Sequence, residues 1–338
     1  MISFASDNYA SVHPKIMQAL VDANHGHVPA YGNDEITQKA IKLIQQTLSE
    51  KAKVWFVGTG TAANTLAIKA SLRSYQSVIC TDSAHIQCNE TGAPEQWCGV
   101  KLLTCPHEQG KLTPEAIRKV YNAEACWGQH ATKPRLVSIS QTTEFGTVYY
   151  PEELSAIRAV CDELDLLLHM DGCRLYNAAA ELNVPLEELV KDIDVLSLGG
   201  TKAGLMFGEA VVFLNPELAQ GFEHLQKQGL QLFSKMRYVS AQFLALFTDN
   251  LGLDLAAHSN QLATSLADSL QRFDGVELLY PAESNMFFAR LPQLWVETLQ
   301  AHTYFYIMPG SDIARFVLSH DVQQSHVDDF VEKAKQLG

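Results

Sequence analysis

Two kinds of apolar spacing divide the chain. Apolar runs at 54–57, 78–81, 136–140, 166–170, 195–198 and 209–214 are short, and several are bounded by Gly or Asp. Strands buried on both faces read this way. Elsewhere apolar residues recur every three or four positions. Pro14 opens a helix with Ile16, Met17, Leu20 and Val21 on one face, and Ile36, Ala40, Ile44 and Leu48 mark a second after Tyr31-Gly32-Asn33-Asp34. Leu66, Ala67 and Ala70 mark a third, Thr113-Pro114 and Pro151 open two more, and a long helical tract follows Asn215-Pro216. Strands alternating with helices imply βαβ units and a parallel sheet.

The grain changes near 250. A helix over 255–272 is followed by short strands at 276–280, 285–290, 304–307 and 314–318, then a last helix from about 323. The pattern predicts an irregular arm over 1–13, a large α/β domain over 14–250 and a small α+β domain over 251–338, with Gly252 at the joint.

Composition excludes several classes. At 338 residues, 47% apolar and 19% charged, the chain can bury a large core. A net charge of −13 argues against nucleic acid or an anionic membrane as partner, because both need a basic face. No stretch approaches the ~18 uninterrupted apolar residues of a membrane-spanning helix. The start, MISFASDNYA, lacks the basic flank and apolar run of a signal peptide. Seven scattered cysteines without a CxxC pair suit the reduced thiols of a cytoplasmic protein.

Candidate chemistry gathers at the ends of the apolar runs. The 166–170 run ends in Asp171 and the 195–198 run leads to Lys202. Ligands of open α/β sheets sit beyond the carboxyl ends of the strands. A carboxylate and an amine delivered there suit pyridoxal phosphate (PLP), the Lys holding its aldehyde as a Schiff base and the Asp keeping its pyridine nitrogen protonated. The structural alternative makes Asp171 a helix cap and Lys202 a solvated turn residue. After the 54–57 strand, Gly58-Thr59-Gly60-Thr61-Ala62-Ala63-Asn64 opens a helix, a layout that holds a phosphate on free N–H groups. The same residues also fit a GxGxxG/A dinucleotide fingerprint, with Asp82 at about the ~20-residue offset, so an NAD(P) oxidoreductase stands as an alternative. His85 follows another strand end, with Glu90-Thr91-Gly92 behind it. His25 and His27 lack a third metal ligand at a sensible spacing. Lys227, Lys235 and Arg237 are a solvated face or an anion contact. Arg315 stands alone in the apolar strand at 314–318, so it needs an anion: a protein carboxylate, or a substrate carboxylate gripped bidentately.

Taken in order, these motifs resemble the low-specificity threonine aldolases and phenylserine aldolases of the β-eliminating lyase group. The residues concerned are Ser6-Asp7-Asn8, Tyr31-Gly32-x-Asp34, the 58–64 turn, Ala84-His85 with Glu90-x-Gly92, Asp171-Gly-x-Arg174-x-x-Asn-Ala178, Ser197-Leu-Gly-Gly-Thr-Lys202 and Arg315. The resemblance implies a PLP-dependent, fold type I (aspartate-aminotransferase-like) architecture with a mostly parallel seven-stranded sheet. It implies aldol cleavage of β-hydroxy-α-amino acids to glycine and an aldehyde, with β-elimination to a keto acid and ammonia as the alternative. It also implies a homodimer or homotetramer with active sites at the subunit interface.

The same resemblance makes Lys202 the Schiff-base lysine, Asp171 the pyridine partner and His85 the ring-stacking imidazole. Gly60, Thr61 and Asn64 would hold the phosphate. Ser6 and Arg315 would grip the substrate carboxylate, with Arg174 near it and the cofactor, and Tyr31 would line the pocket. Many relatives carry Thr-His-Asn-Gly after the strand at 136–140. Here Thr143-Glu144-Phe145-Gly146 puts Glu144 at the His position, leaving His85, Glu144 or a water as the general base.

Overall fold

The computed structural model describes residues 2–337. Its larger sheet has seven strands: β1 (Lys53–Val57), β2 (Gln76–Thr81), β3 (Lys101–Cys105), β4 (Lys133–Ser140), β5 (Leu167–Gly172), β6 (Val195–Leu198) and β7 (Glu209–Phe213), in the order β1-β7-β6-β5-β4-β2-β3. From β3 to β6 the neighbours are parallel, while β7 runs antiparallel to β6 and to β1. Hence β1, β2, β4, β5 and β6 all end at one edge, and β7 begins there. Every residue of β5 and β6 is buried, which accounts for their unbroken apolar runs. This is the α/β, mostly parallel sheet expected.

The strand order removes the dinucleotide alternative. That fold sets its glycine-rich strand beside the strand carrying the acidic residue. Here β1 bonds only to β7, and β7, β6, β5 and β4 lie between it and β2, which leads to Asp82.

A second sheet contains β8 (Glu277–Leu278), β9 (Met286–Arg290), β10 (Tyr306–Ile307) and β11 (Ile313–Val317), antiparallel in the order β10-β11-β9-β8. It has its own core around Phe4, Phe287, Phe305, Phe316 and Phe330. The N-terminal arm joins this sheet: Phe4 N–H donates to Tyr304 O and Phe4 O accepts Val317 N–H, both at 2.8 Å. Burying such a side chain contributes about 2 kcal/mol, which offsets the entropy of ordering one or two residues, and the two hydrogen bonds add to it.

Helix Leu251–Leu270 places Leu251 and Ala256 in the core of the large sheet and Leu262, Leu266 and Leu270 in that of the small one. Gly252 lies inside this helix and forms no break. A Cβ there would stand 2.9 Å from the Tyr176 ring, so close packing requires the glycine. Helix Gln293–His302 and strand β3 were not expected. The helix buries only Trp295 and Leu299, and β3 exposes Lys101 and Thr104, so neither has a long apolar signature.

Candidate active site

Asp171, near the end of β5, is fully enclosed. Its Oδ2 accepts from Asn64 Nδ2 at 2.8 Å and its Oδ1 from Cys173 N–H at 3.1 Å. Burial pushes its pKa up, but the Asn64 hydrogen bond and the charges of Lys202 and His85 hold the carboxyl below the usual range. Asn64 was expected at a phosphate. Instead it stands between two buried carboxylates, because its Nδ2 also donates to Glu90 Oε1 at 2.8 Å. Both amide protons are thereby used.

The same Glu90 oxygen is 2.8 Å from His85 Nδ1. This hydrogen bond raises the His85 pKa, opposed by burial and helped by Asp171. With Nδ1–H donating to Glu90, Nε2 is the nitrogen left to act. His85, Glu90 and Asp171 bring potential metal ligand atoms within 4.8 Å of one another, and neither His25 nor His27 belongs to such a group among the described residues. Asn64 Nδ2 already bridges the two carboxylates, the place a cation would have to take.

Glu144 lies four residues past the end of β4. Its Oε1 accepts from Ser140 Oγ–H at 2.6 Å and from the backbone N–H of His85 at 2.8 Å. Burial raises its pKa against those hydrogen bonds. The contacts make Glu144 the anchor of the His85 turn.

Lys202 sits on the short turn Thr201–Ala203 after β6. Its one polar contact among the described residues is Cys173 Sγ at 3.6 Å. Cys173, with the Asp7 and Asp171 carboxylates, holds the ammonium above its usual range against Arg174 and burial. An amine with no paired carboxylate is free to react once it loses its proton.

Two guanidiniums complete the site. Arg174 is tied to Asp7 of the arm by Nε–Oδ2 at 2.7 Å and Nη2–Oδ1 at 3.1 Å, and Asn285 Nδ2 donates to the same Asp7 Oδ2 at 3.2 Å. Arg315, on β11, pairs with no carboxylate among the described residues. Its Nη2 donates to Ala5 O at 3.1 Å, its charge lies 4.9 Å over the Tyr306 ring, and its buried Nε has no partner among them. Burial and Arg174 hold its pKa below the usual value, so an incoming anion is favoured there. Ser6, on the same arm, accepts Asn8 N–H through its Oγ at 3.2 Å.

Gly60 and Thr61 begin helix Gly60–Ser71, capped by Thr59 Oγ1 accepting Ala62 N–H at 3.2 Å. Nothing lies within 4 Å of where a Gly60 Cβ would be, so a phosphate has room beside first-turn N–H groups. Tyr31 is not among these groups. It is 49% exposed, with φ +60° and Lys227 Nζ 5.4 Å over its ring. The residues therefore fit PLP: an amine and a guanidinium with no carboxylate partner among the described residues, a carboxylate kept ionised by Asn64 and nearby cations, and an open helix start.

The model of the family described as beta-eliminating lyase matches residues 3–292. The chain belongs to the beta-eliminating lyase family. It is a PLP-dependent enzyme of that family. It is 44% identical to the low specificity L-threonine aldolase of Pseudomonas sp. (strain NCIMB 10558), over 96% of this chain and 94% of that one. It is 28% identical to the low specificity L-threonine aldolase of Saccharomyces cerevisiae, over 85% of this chain and 73% of the relative. A solved structure of threonine aldolase from Leishmania major superposes with a TM-score of 0.95 at 35% identity, covering 100% of this chain and 99% of that one.

Asp7 and Glu90 stand within the sequence motifs without a chemical role of their own to be read there. Their signal was present, Asp7 in a turn after Ser6 and Glu90 five residues past His85. Their partners, Arg174 and Asn64, lie on elements distant along the chain.

Proposed function

We propose that the protein cleaves β-hydroxy-α-amino acids, with L-threonine, L-allo-threonine and phenylserine as the class, into glycine and an aldehyde. The observation that carries the reading is the likeness to low specificity L-threonine aldolases along nearly the whole chain. The buried Arg315 Nε, without a partner among the described residues, supports an amino acid carboxylate as the anion.

Bound PLP supplies an aldehyde for an amine and an electron sink for the breaking Cα–Cβ bond. Lys202 provides the resident amine. Asp171, kept ionised by Asn64 and the charges of Lys202 and His85, would keep the pyridine nitrogen protonated. The N–H groups of Gly60 and Thr61 would hold the phosphate. Arg315 and Ser6 grip the substrate carboxylate, and Arg174 braces the arm through Asp7 while adding positive charge. Fixing the carboxylate fixes which bond at Cα faces the sink.

His85 takes the β-hydroxyl proton at Nε2 while Glu90 holds Nδ1, and Glu144 anchors its turn. General base help of this kind is worth ~10²–10⁴-fold.

The protein also acts as a homodimer or homotetramer with active sites at the subunit interface. Exposed Tyr31, Met206, Phe207 and Leu230 support a second copy covering this side, Tyr31 then lining a neighbour's pocket. The two separate cores support the division into an arm over 1–13 and domains over 14–250 and 251–338, with helix Leu251–Leu270 serving both cores. No helix among the described residues is long and apolar enough to cross a membrane, and free cysteines agree with a cytoplasmic site of action.

A product assay tests the reading. Purified protein with PLP is given L-threonine, L-allo-threonine and L-phenylserine separately. Aldehyde and glycine support aldol cleavage, and keto acid with ammonia would instead make the protein a β-eliminating lyase.

A further inference from the structure

Glu209 is a buried carboxyl that the proposed mechanism does not use. It is the first residue of β7, at the edge where β1 and β6 end, opposite Val57 of β1. Its Oε2 accepts the backbone N–H of Gly200 at 2.7 Å. Gly200 stands two residues before Lys202, at the start of the same turn. No cation pairs with Glu209 among the described residues, so holding this turn is what its carboxylate does there.

The turn has little freedom elsewhere. A Cβ on Gly200 would lie 2.4 Å from Gly208 O, and Gly208 N–H donates to Thr201 Oγ1 at 3.2 Å. At the far end of the loop, Gln242 Oε1 accepts Met206 N–H at 2.8 Å and its Nε2 donates to Phe207 O at 3.1 Å.

We propose that Glu209 is a positioning residue for Lys202: its carboxylate fastens the 200–201 turn so that the amine stands ready to condense with an aldehyde, releasing water. The inference rests on Lys202 being the resident amine. Burial raises the Glu209 pKa to about 7, countered by Thr201, the Gly200 N–H and the charge of Lys202.

Glu209→Leu is the test. It keeps the bulk but leaves the Gly200 N–H without its acceptor, so the turn loosens. Apo-protein is mixed with PLP, attachment is followed by visible absorbance, and samples are reduced with borohydride and mapped by peptide mass. Attachment at Lys202 at least tenfold slower than in wild type, with kcat lowered and the threonine KM held, is the expected result. An unchanged rate, even with a lower unfolding midpoint, would make Glu209 structural only and overturn the proposal. A faster rate would overturn it too, by showing that the carboxylate acts on Lys202 through charge alone. If wild-type label is not on Lys202, the assignment of the amine fails, a different result from an unchanged rate at a labelled Lys202. Should Glu209→Leu not fold, Glu209→Asp shortens the carboxylate's reach to the Gly200 N–H and carries the same readout.

Discussion

Asp171 is a buried carboxyl at the end of β5, and Glu144 a half-buried one just past the end of its neighbour β4; the strands are in register at Asp171 and Ser140. Burial pushes both upward in pKa, yet one ends below its ordinary range and the other above it. The difference is the company each keeps. Asp171 has an amide donor, Lys202 and His85 close by, whereas Glu144 has a hydroxyl, backbone N–H groups and the like charge of Asp171. At Glu144 hydrogen bonds from neutral groups alone do not offset desolvation, whereas at Asp171 the Asn64 amide together with nearby cations does. The carboxyl that meets cations is the one suited to stay charged against a pyridine nitrogen, and the other is suited to hold a turn.

The largest way to break this contrast is to remove the amine. Lys202→Ala takes away a charge that holds Asp171 ionised as well as the resident amine, and activity should fall by about 10³-fold or more, with loss of the visible cofactor band. Survival of both in a turnover assay would sink the assignment. Next, Asp171→Asn should lower kcat by ~10²–10³-fold with PLP content largely kept, whereas Glu144→Gln, which still offers an oxygen to the His85 N–H, should stay within about tenfold. Equal losses would erase the distinction between the two carboxyls.

Arg315→Ala should raise KM about 10–100-fold through loss of one charged hydrogen-bonding group, with a smaller change in kcat. An unchanged KM would take Arg315 out of the carboxylate grip. Glu90→Gln removes the largest influence raising the His85 pKa. The acid limb of kcat/KM should then move to lower pH, since neutral His85 persists further into acid, and a limb that stays put would show that His85 is not the titrating base.

The smallest effect is on stability. Glu144 binds its proton more tightly when folded, so its favourable contribution is present below its unfolded pKa and is lost as pH rises through the raised folded value. Asp171 has the opposite sign: its contribution is present above its unfolded pKa and is lost as pH falls through the lowered folded value. Urea unfolding of apo-protein should therefore show Glu144→Gln gaining on wild type as pH rises from about 4.5, and Asp171→Asn drawing closer to wild type below about 4. Parallel pH curves for the two variants would contradict the contrast.

How much of this was readable from the chain follows the same division. β5 and β6 announced themselves because strands covered on both faces are unbroken apolar runs, and Asp171 and Lys202 stood out as polar residues just where those runs end. Strand β3 and helix Gln293–His302 are short and half exposed, so their pattern merged with loop. Asn64 misled for a different reason. Its place in the first turns of a helix suggests phosphate, but its contacts depend on Glu90 and Asp171 arriving from other elements. Glu209 opened an apolar strand and showed its purpose only once β7 began beside the Lys202 turn.

The most direct test of the central claim is borohydride reduction of the PLP-loaded wild-type protein followed by peptide mapping. The account predicts a single pyridoxyl group on Lys202, with Asp171→Asn labelled at the same residue. Label on any other lysine, or none in a protein that still turns over threonine, would contradict it.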